Sequence, residues 1–111
     1  MTLSDKQHIF TRMVARLLAW AIDQPGIEIS LGEVFRTPEQ QAIYIKQGKT
    51  RTPYSKHLYK LAIDLYLFKD GIYTANIADY EPLGHFWESI GGVWGGHWSK
   101  LRDGVHFQYE P

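Results

Sequence analysis

The chain has 111 residues, the size of one domain, and its 44% apolar content is enough for one real core, which excludes a disordered segment. Its 12 basic and 12 acidic residues cancel to zero net charge, so bulk electrostatics gives no basis for general nucleic-acid binding. Cysteine is absent, which excludes disulfides and thiolate sites and leaves only nitrogen and oxygen to hold a metal.

The first element predicted is a helix. Ser4-Asp5-Lys6-Gln7 has the pattern of a capping box, and Phe10, Val14, Leu17, Leu18 and Ala21 follow at helical spacing until Pro25-Gly26. Ile27 to Phe35 alternates as a strand, with Gly32 marking a bulge before Val34 and Phe35. Arg36 stands at its end. A second helix opens at Thr37-Pro38-Glu39-Gln40, with Thr37 as cap, Pro38 in the first turn and Gln40 closing a box. Ala42, Ile43 and Ile45 give it an apolar side, and Gly48 ends it. Lys46, Lys49, Arg51, Lys56 and Lys60 then cluster around a polar loop. They read either as a solvated rim or as a positive lip for an anionic substrate.

Leu61, Ile63, Leu65 and Leu67 alternate with Ala62, Asp64, Tyr66 and Phe68, the period of a strand. The leucine and isoleucine set faces a core and Asp64 faces the other way. A carboxylate in so apolar a strand is costly to bury unless a cation or donors meet it. Lys69-Asp70-Gly71 turns the chain into a short partner, Ile72-Tyr73. Asn76 to Tyr80 reads as a loop, followed by a third helix from about Pro82 through Phe86, Trp87 and Ile90 to Gly91-Gly92. Val93 to Trp98 is a tight, packed loop or strand. Val105, Phe107 and Tyr109 alternate with His106, Gln108 and Glu110 in a last strand.

A catalytic zinc takes three protein ligands and leaves a fourth place for water. His57, Asp64 and His106 are of that type if the two strands are neighbours and His57 folds back. Asp103 can stand near such a metal without binding it. Spacing alone is weak here: a histidine seven residues before an aspartate is common, and Asp103-Gly104 by itself is most often a turn. His8 and His85 read as surface residues and His97 as a pocket wall. Trp94 and Trp98 read as core or pocket lining, and Tyr54 and Tyr59 as site mouth or packing.

Three stretches in order carry a resemblance. Ser55-x-His57-x-x-Lys60-x-Ala62-x-Asp64 resembles the S-x-H-x-x-G-x-A-x-D signature of the zinc D-Ala-D-Ala carboxypeptidase and L-Ala-D-Glu endopeptidase family. Trp94-Gly95-Gly96 followed by Asp103-Gly104-Val105-His106-Phe107 is similar to the end of its phage endolysins, and Phe35-Arg36-Thr37-Pro38-Glu39-Gln40-Gln41 to a recurring arginine phrase. The resemblance covers about residues 30 to 109. It implies Zn2+ on His57, Asp64 and His106, with Asp103 as the general base and Arg36 on the substrate carbonyl or developing oxyanion. It also points to Ser55, Gln41 and Trp94 as substrate-binding positions, Ser55 with an outer-shell hydrogen bond as a further role. Aspartate in the base position looks like the endolysin branch, which cuts the L-Ala-D-Glu bond of the peptidoglycan stem peptide. Lys60 replaces the usual glycine, and a positive φ there would strain a lysine.

The expected fold is α+β: a small, mostly antiparallel sheet carrying the zinc site, flanked by about three helices, like the Hedgehog and DD-peptidase domains. The expected organisation is a single catalytic domain over 1–111, without a separate cell-wall-binding domain, acting as a monomer. No nucleic-acid partner and no stable membrane insertion are expected. Met1 to Lys6 lacks the layout of a signal peptide. Synthesis in the cytoplasm and action on the wall after membrane opening, by a holin for example, are the matching expectations. The alternatives are a D-Ala-D-Ala carboxypeptidase and a non-catalytic zinc-holding domain that binds wall peptide.

Overall fold

A computed structural model describes residues 1–50, 52 and 54–111. Helix α1 spans Leu3–Ile22 and buries Phe10, Met13, Leu17 and Ala21, one stripe of its surface. Its capping box is not the expected one. Thr2 accepts from the Asp5 N–H at 3.1 Å while the Asp5 carboxylate accepts from the Thr2 N–H at 2.9 Å. Asp5 thus takes the part expected of Gln7, and the helix starts one residue before Ser4.

Strand β1, Ile27–Leu31, pairs antiparallel with β2, Ala62–Lys69, in the register Leu31 with Leu65. The regular ladder is shorter than the expected 27–35 because Gly32 and Glu33 both bond to Asp64, at 2.8 Å from the Gly32 N–H and 3.0 Å to the Glu33 carbonyl, which is the bulge expected at Gly32. A Cβ on Gly32 would lie 2.7 Å from the Tyr66 ring and 2.9 Å from the Asp64 carbonyl oxygen, so only glycine lets the two backbones approach. Helix α2 spans Pro38–Lys46, with Thr37 accepting from the Gln40 N–H at 3.1 Å. The apolar side expected for it is not packed: Ile43 and Ile45 are exposed, and Gln41 is its buried residue.

β2 is the central strand. It also pairs with β3, Ile72–Thr74, through a turn in which Asp70 and Gly71 both have positive φ, and with β5, His106–Gln108. β5 in turn pairs with β4, Val93–Trp94. Leu61, Ile63, Leu65 and Leu67 are all buried, as the alternation required.

Helix α3 spans Ile77–Ser89 and starts before Pro82, where a loop was expected. Asn76 caps it by accepting from the Ala78 N–H at 3.1 Å. The Tyr80 hydroxyl donates to the Thr74 carbonyl and accepts from the Leu67 N–H, each at 2.9 Å, which ties this first part of the helix to β2 and β3. Those contacts outweigh the one helical hydrogen bond that proline deletes. Trp87 is fully buried and donates its indole N–H to the Gln108 carbonyl at 2.9 Å, joining α3 to β5. The three helices and antiparallel sheet are those expected. Among the described residues no helix is long and apolar enough to cross a membrane.

Lys60 closes a short 3₁₀ turn, Lys56–Tyr59, with φ 56° and ψ 42°. This is the left-handed region, where a side chain costs about 1–2 kcal/mol. Lys60→Gly removes that clash but gives the unfolded chain more freedom. It is expected to raise stability by up to about 1 kcal/mol in a urea titration at fixed metal content.

Candidate active site

Side chains from two distant stretches of the sequence meet on one side of the sheet. Asp64 is opposite His106 in the β2–β5 register, so both project from the same face. The 3₁₀ turn brings in His57, whose backbone is fixed by the Ser55 hydroxyl, which accepts from its N–H at 3.2 Å. His57 Nε2 is 3.2 Å and His106 Nδ1 is 3.4 Å from the same oxygen, Asp64 Oδ1. One donor atom from each of the three lies within 4.8 Å of the others.

The remaining ring nitrogens settle how these imidazoles are oriented. His57 Nδ1 lies 3.0 Å from the Val34 carbonyl, which can only accept. His106 Nε2 lies 2.7 Å from Gln108 Oε1, and the Gln108 amide N–H donates to Glu110 at 2.6 Å, which fixes the amide's orientation. Each ring therefore spends one N–H on a carbonyl and turns its other nitrogen towards Asp64. A proton on those nitrogens, or a cation among them, is required to hold lone pairs so close. A tetrahedral ion with ligands at 2.0–2.1 Å has ligand-to-ligand edges of about 3.3 Å, which the two Asp64 distances already match. The donor set fits a metal of zinc type, and outer-shell carbonyls orient both imidazoles as metal-binding histidines require.

Burial pushes the Asp64 carboxyl up, but the hydrogen bonds from His106 and His57 outweigh it and hold the group at about 2. Asp64 is thus a carboxylate at any working pH. Asp103 differs: burial raises its carboxyl above the usual range, with His106 pulling the other way. In the metal-free protein, carboxyl-carbon NMR should find Asp103 titrating above ordinary aspartates and Asp64 below them.

Asp64, His106, Asp103, Arg36 and Ser55 line one cavity of about 590 Å3, with Lys49, Lys56 and Lys100 also on its wall. The Arg36 guanidinium is pinned from several sides. It donates to Glu33 from Nε at 2.7 Å, to Gln41 Oε1 at 2.8 Å and to the Ser55 hydroxyl at 3.4 Å, and it lies 4.7 Å over the Tyr44 ring.

A family model described as D-alanyl-D-alanine carboxypeptidase matches residues 48–109, more than half the chain. The chain belongs to that peptidase family. It is 34% identical over 105 residues to an L-alanyl-D-glutamate peptidase of Listeria phage A118, an alignment covering 89% of this chain and 36% of that protein. It therefore spans little more than a third of that relative. It is 28% identical over 130 aligned positions to the peptidoglycan L-alanyl-D-glutamate endopeptidase CwlK of Bacillus subtilis strain 168, covering 100% of this chain and 78% of CwlK. Its fold is shared with the crystal structure of the Serratia marcescens L-Ala D-Glu endopeptidase ChiX. That match has a TM-score of 0.76 at 23% identity, over 91% of this chain and 77% of the other.

Two positions expected to touch substrate in this peptidase fold do not line the cavity. Trp94 is fully buried with its indole N–H donated to the Gly104 carbonyl at 2.8 Å; Trp98, four residues on, lines the cavity instead. Gln41 is 2% exposed, and its amide accepts from Arg36 and donates to the Thr52 carbonyl, so it positions Arg36 rather than meeting a ligand. Of the basic lip, Lys49 and Lys56 reach the cavity wall and Lys46 and Lys60 do not, while Arg51 lies outside the described residues. Tyr54 lines the mouth. Glu33 and Gln108 were not anticipated. Gln108 stands two residues from His106 on the same strand face, a signal that was available; nothing local marks Glu33 as the partner of Arg36.

Proposed function

We propose that this chain is a zinc-dependent peptidase that hydrolyses the L-alanyl-D-glutamate bond of peptidoglycan stem peptides. The observation that carries the reading is the convergence of His57, Asp64 and His106 at the cavity where Asp103 and Arg36 also stand. The choice of bond is supported by the names of the phage A118 and CwlK relatives. Zinc, when bound, supplies a Lewis acid that polarises a carbonyl and lowers the pKa of water to about 7.

The chain's own groups do the rest. Asp103 takes the proton of the attacking water and passes it to the leaving amine. Arg36, already pinned by Glu33, Gln41 and Ser55, offers donors to the scissile carbonyl oxygen as charge develops there, without a reorganisation cost. Lys49, Lys56 and Lys100 on the wall can each meet a carboxylate of the peptide, beside the wall's own Glu33, Asp64, Asp103 and Glu110. The site of action is the cell wall, reached by a monomer once a holin-like partner has opened the membrane.

Mass spectrometry of purified muropeptides after digestion tests the reaction. Stem peptides released without their L-alanine are expected. Loss of a single D-alanine would make the protein a D-Ala-D-Ala carboxypeptidase, and an unchanged spectrum a wall-peptide binding domain. The outer shell has its own test. Gln108→Leu removes the carbonyl that accepts from His106 and is expected to weaken Zn2+ binding by about 10–100-fold, measured by competition with a chromophoric chelator.

A further inference from the structure

A second group of metal-binding side chains lies outside the cavity. Glu81 and His85 are one turn apart on α3 and share a face. His97 comes to them from a short 3₁₀ turn, Gly95–His97, that follows β4. One donor atom of each of the three lies within 4.8 Å of the others, and all three residues are exposed. None of them lines the cavity of the first site.

We propose that Glu81, His85 and His97 form a second, solvent-open site for a divalent transition-metal ion of zinc type. His97 is prepared for this role. Its Nδ1 lies 2.8 Å from Glu88, whose carboxylate accepts a hydrogen bond from that nitrogen's N–H and leaves Nε2 to face Glu81 Oε1 at 3.8 Å. A carboxylate behind an imidazole is the arrangement that orients metal-binding histidines. The ring is further braced edge-on against the buried Trp94, with centroids 4.6 Å apart. Among the described residues neither Glu81 nor Glu88 is paired with a lysine or arginine, so two negative charges face the histidines without a cation. Two imidazoles and a carboxylate suit Zn2+, with water completing the shell.

An ion there would strap the Gly95–His97 turn to α3. That turn holds the far side of the first site: the Gly95 carbonyl accepts from the Asp103 N–H at 3.0 Å and from the Trp98 N–H at 3.2 Å. The Gly96 carbonyl accepts from Arg102 Nε at 2.8 Å. The second ion therefore acts as a stabiliser of the segment carrying Asp103 and Trp98.

Calorimetric titration of the metal-free protein with ZnCl2 is expected to show two equivalents, a tighter and a weaker. His85→Ala and Glu81→Gln change exposed helix positions, and both proteins should keep the tight equivalent. The weaker one should be lost or weakened at least about tenfold, the lower limit for losing even an outer-shell partner. Asp64→Asn should do the reverse, so failure at either site is seen separately. Filling the second site should raise the thermal midpoint by roughly 5 °C over the one-equivalent form, and His85→Ala should abolish that rise. Saturation of the unmodified protein at one equivalent, or a second equivalent untouched by His85→Ala, would overturn the proposal.

Discussion

Asp103→Ala is expected to cut turnover by about 10²–10⁴-fold and to leave the bound Zn2+ in place. The two halves of this expectation come from different observations. Asp103 is on the cavity wall but outside the group of three converging donor atoms, so truncating it leaves that group whole. Its main chain is anchored by hydrogen bonds to Gly95 and from His106, at 3.0 and 3.2 Å, and both survive truncation of the side chain. What is lost is a half-buried carboxylate whose affinity for a proton burial has raised, the property a base needs when it must accept a proton and then release it. Steady-state kinetics on a muropeptide, with zinc content measured on the same sample, should show kcat collapsing at constant metal stoichiometry. A protein that also loses its zinc would make Asp103 a ligand and leave the base unassigned.

Asp64→Asn is expected to have the larger effect. The substitution keeps shape and volume on a strand whose neighbours Ile63 and Leu65 are buried, so the fold should survive. It removes the one anionic donor among the three, and both imidazoles are arranged around it. Zinc affinity should fall well beyond the roughly 10–100-fold expected for an outer-shell partner such as Gln108, and activity should drop to the level of chelator-treated protein. Readdition of ZnCl2 after chelation should restore the unmodified protein and not the Asp64→Asn protein. Full activity in a metal-free sample of either would remove the metal from the reaction.

The loop-side features show how far one-dimensional reading goes. The hydrophobic alternation around Asp64 needed only the two-residue period of a strand, and the same held for His106 at the other end of the chain. The glycine-like slot at Lys60 was visible from the motif, and its φ of 56° bears out the need for a left-handed residue there. The helix boundaries were less accessible. Ser4 and Gln7 have the composition of a capping box, but Thr2 and Asp5 make the bonds. Pro82 signals a helix start by itself, yet the Tyr80 hydroxyl bound to β2 and β3 carries the helix back to Ile77. Gln41 and Ile43 take places opposite to those their polarity suggests. The inward side of α2 meets the Arg36 guanidinium, so its polar residue is buried and its isoleucine is left out.

Local chemistry alone determined the α+β pattern and the identity of the two strands, because strand period belongs to each residue and its immediate neighbours; it made His57, Asp64 and His106 candidates, and the three motifs in order singled them out. Only the folded chain decided that Asp64 lies across from His106, that Glu33, Gln41 and Ser55 clamp Arg36, and that Trp98 rather than Trp94 faces the cavity. Trp94 sinks into the core because Gly84 leaves room for its ring and the Gly104 carbonyl accepts its N–H. Some of these partners are distant along the chain and others, such as Glu33 and Gln41, are near it, but what selects them all is the register of one strand on another and the space left between packed elements.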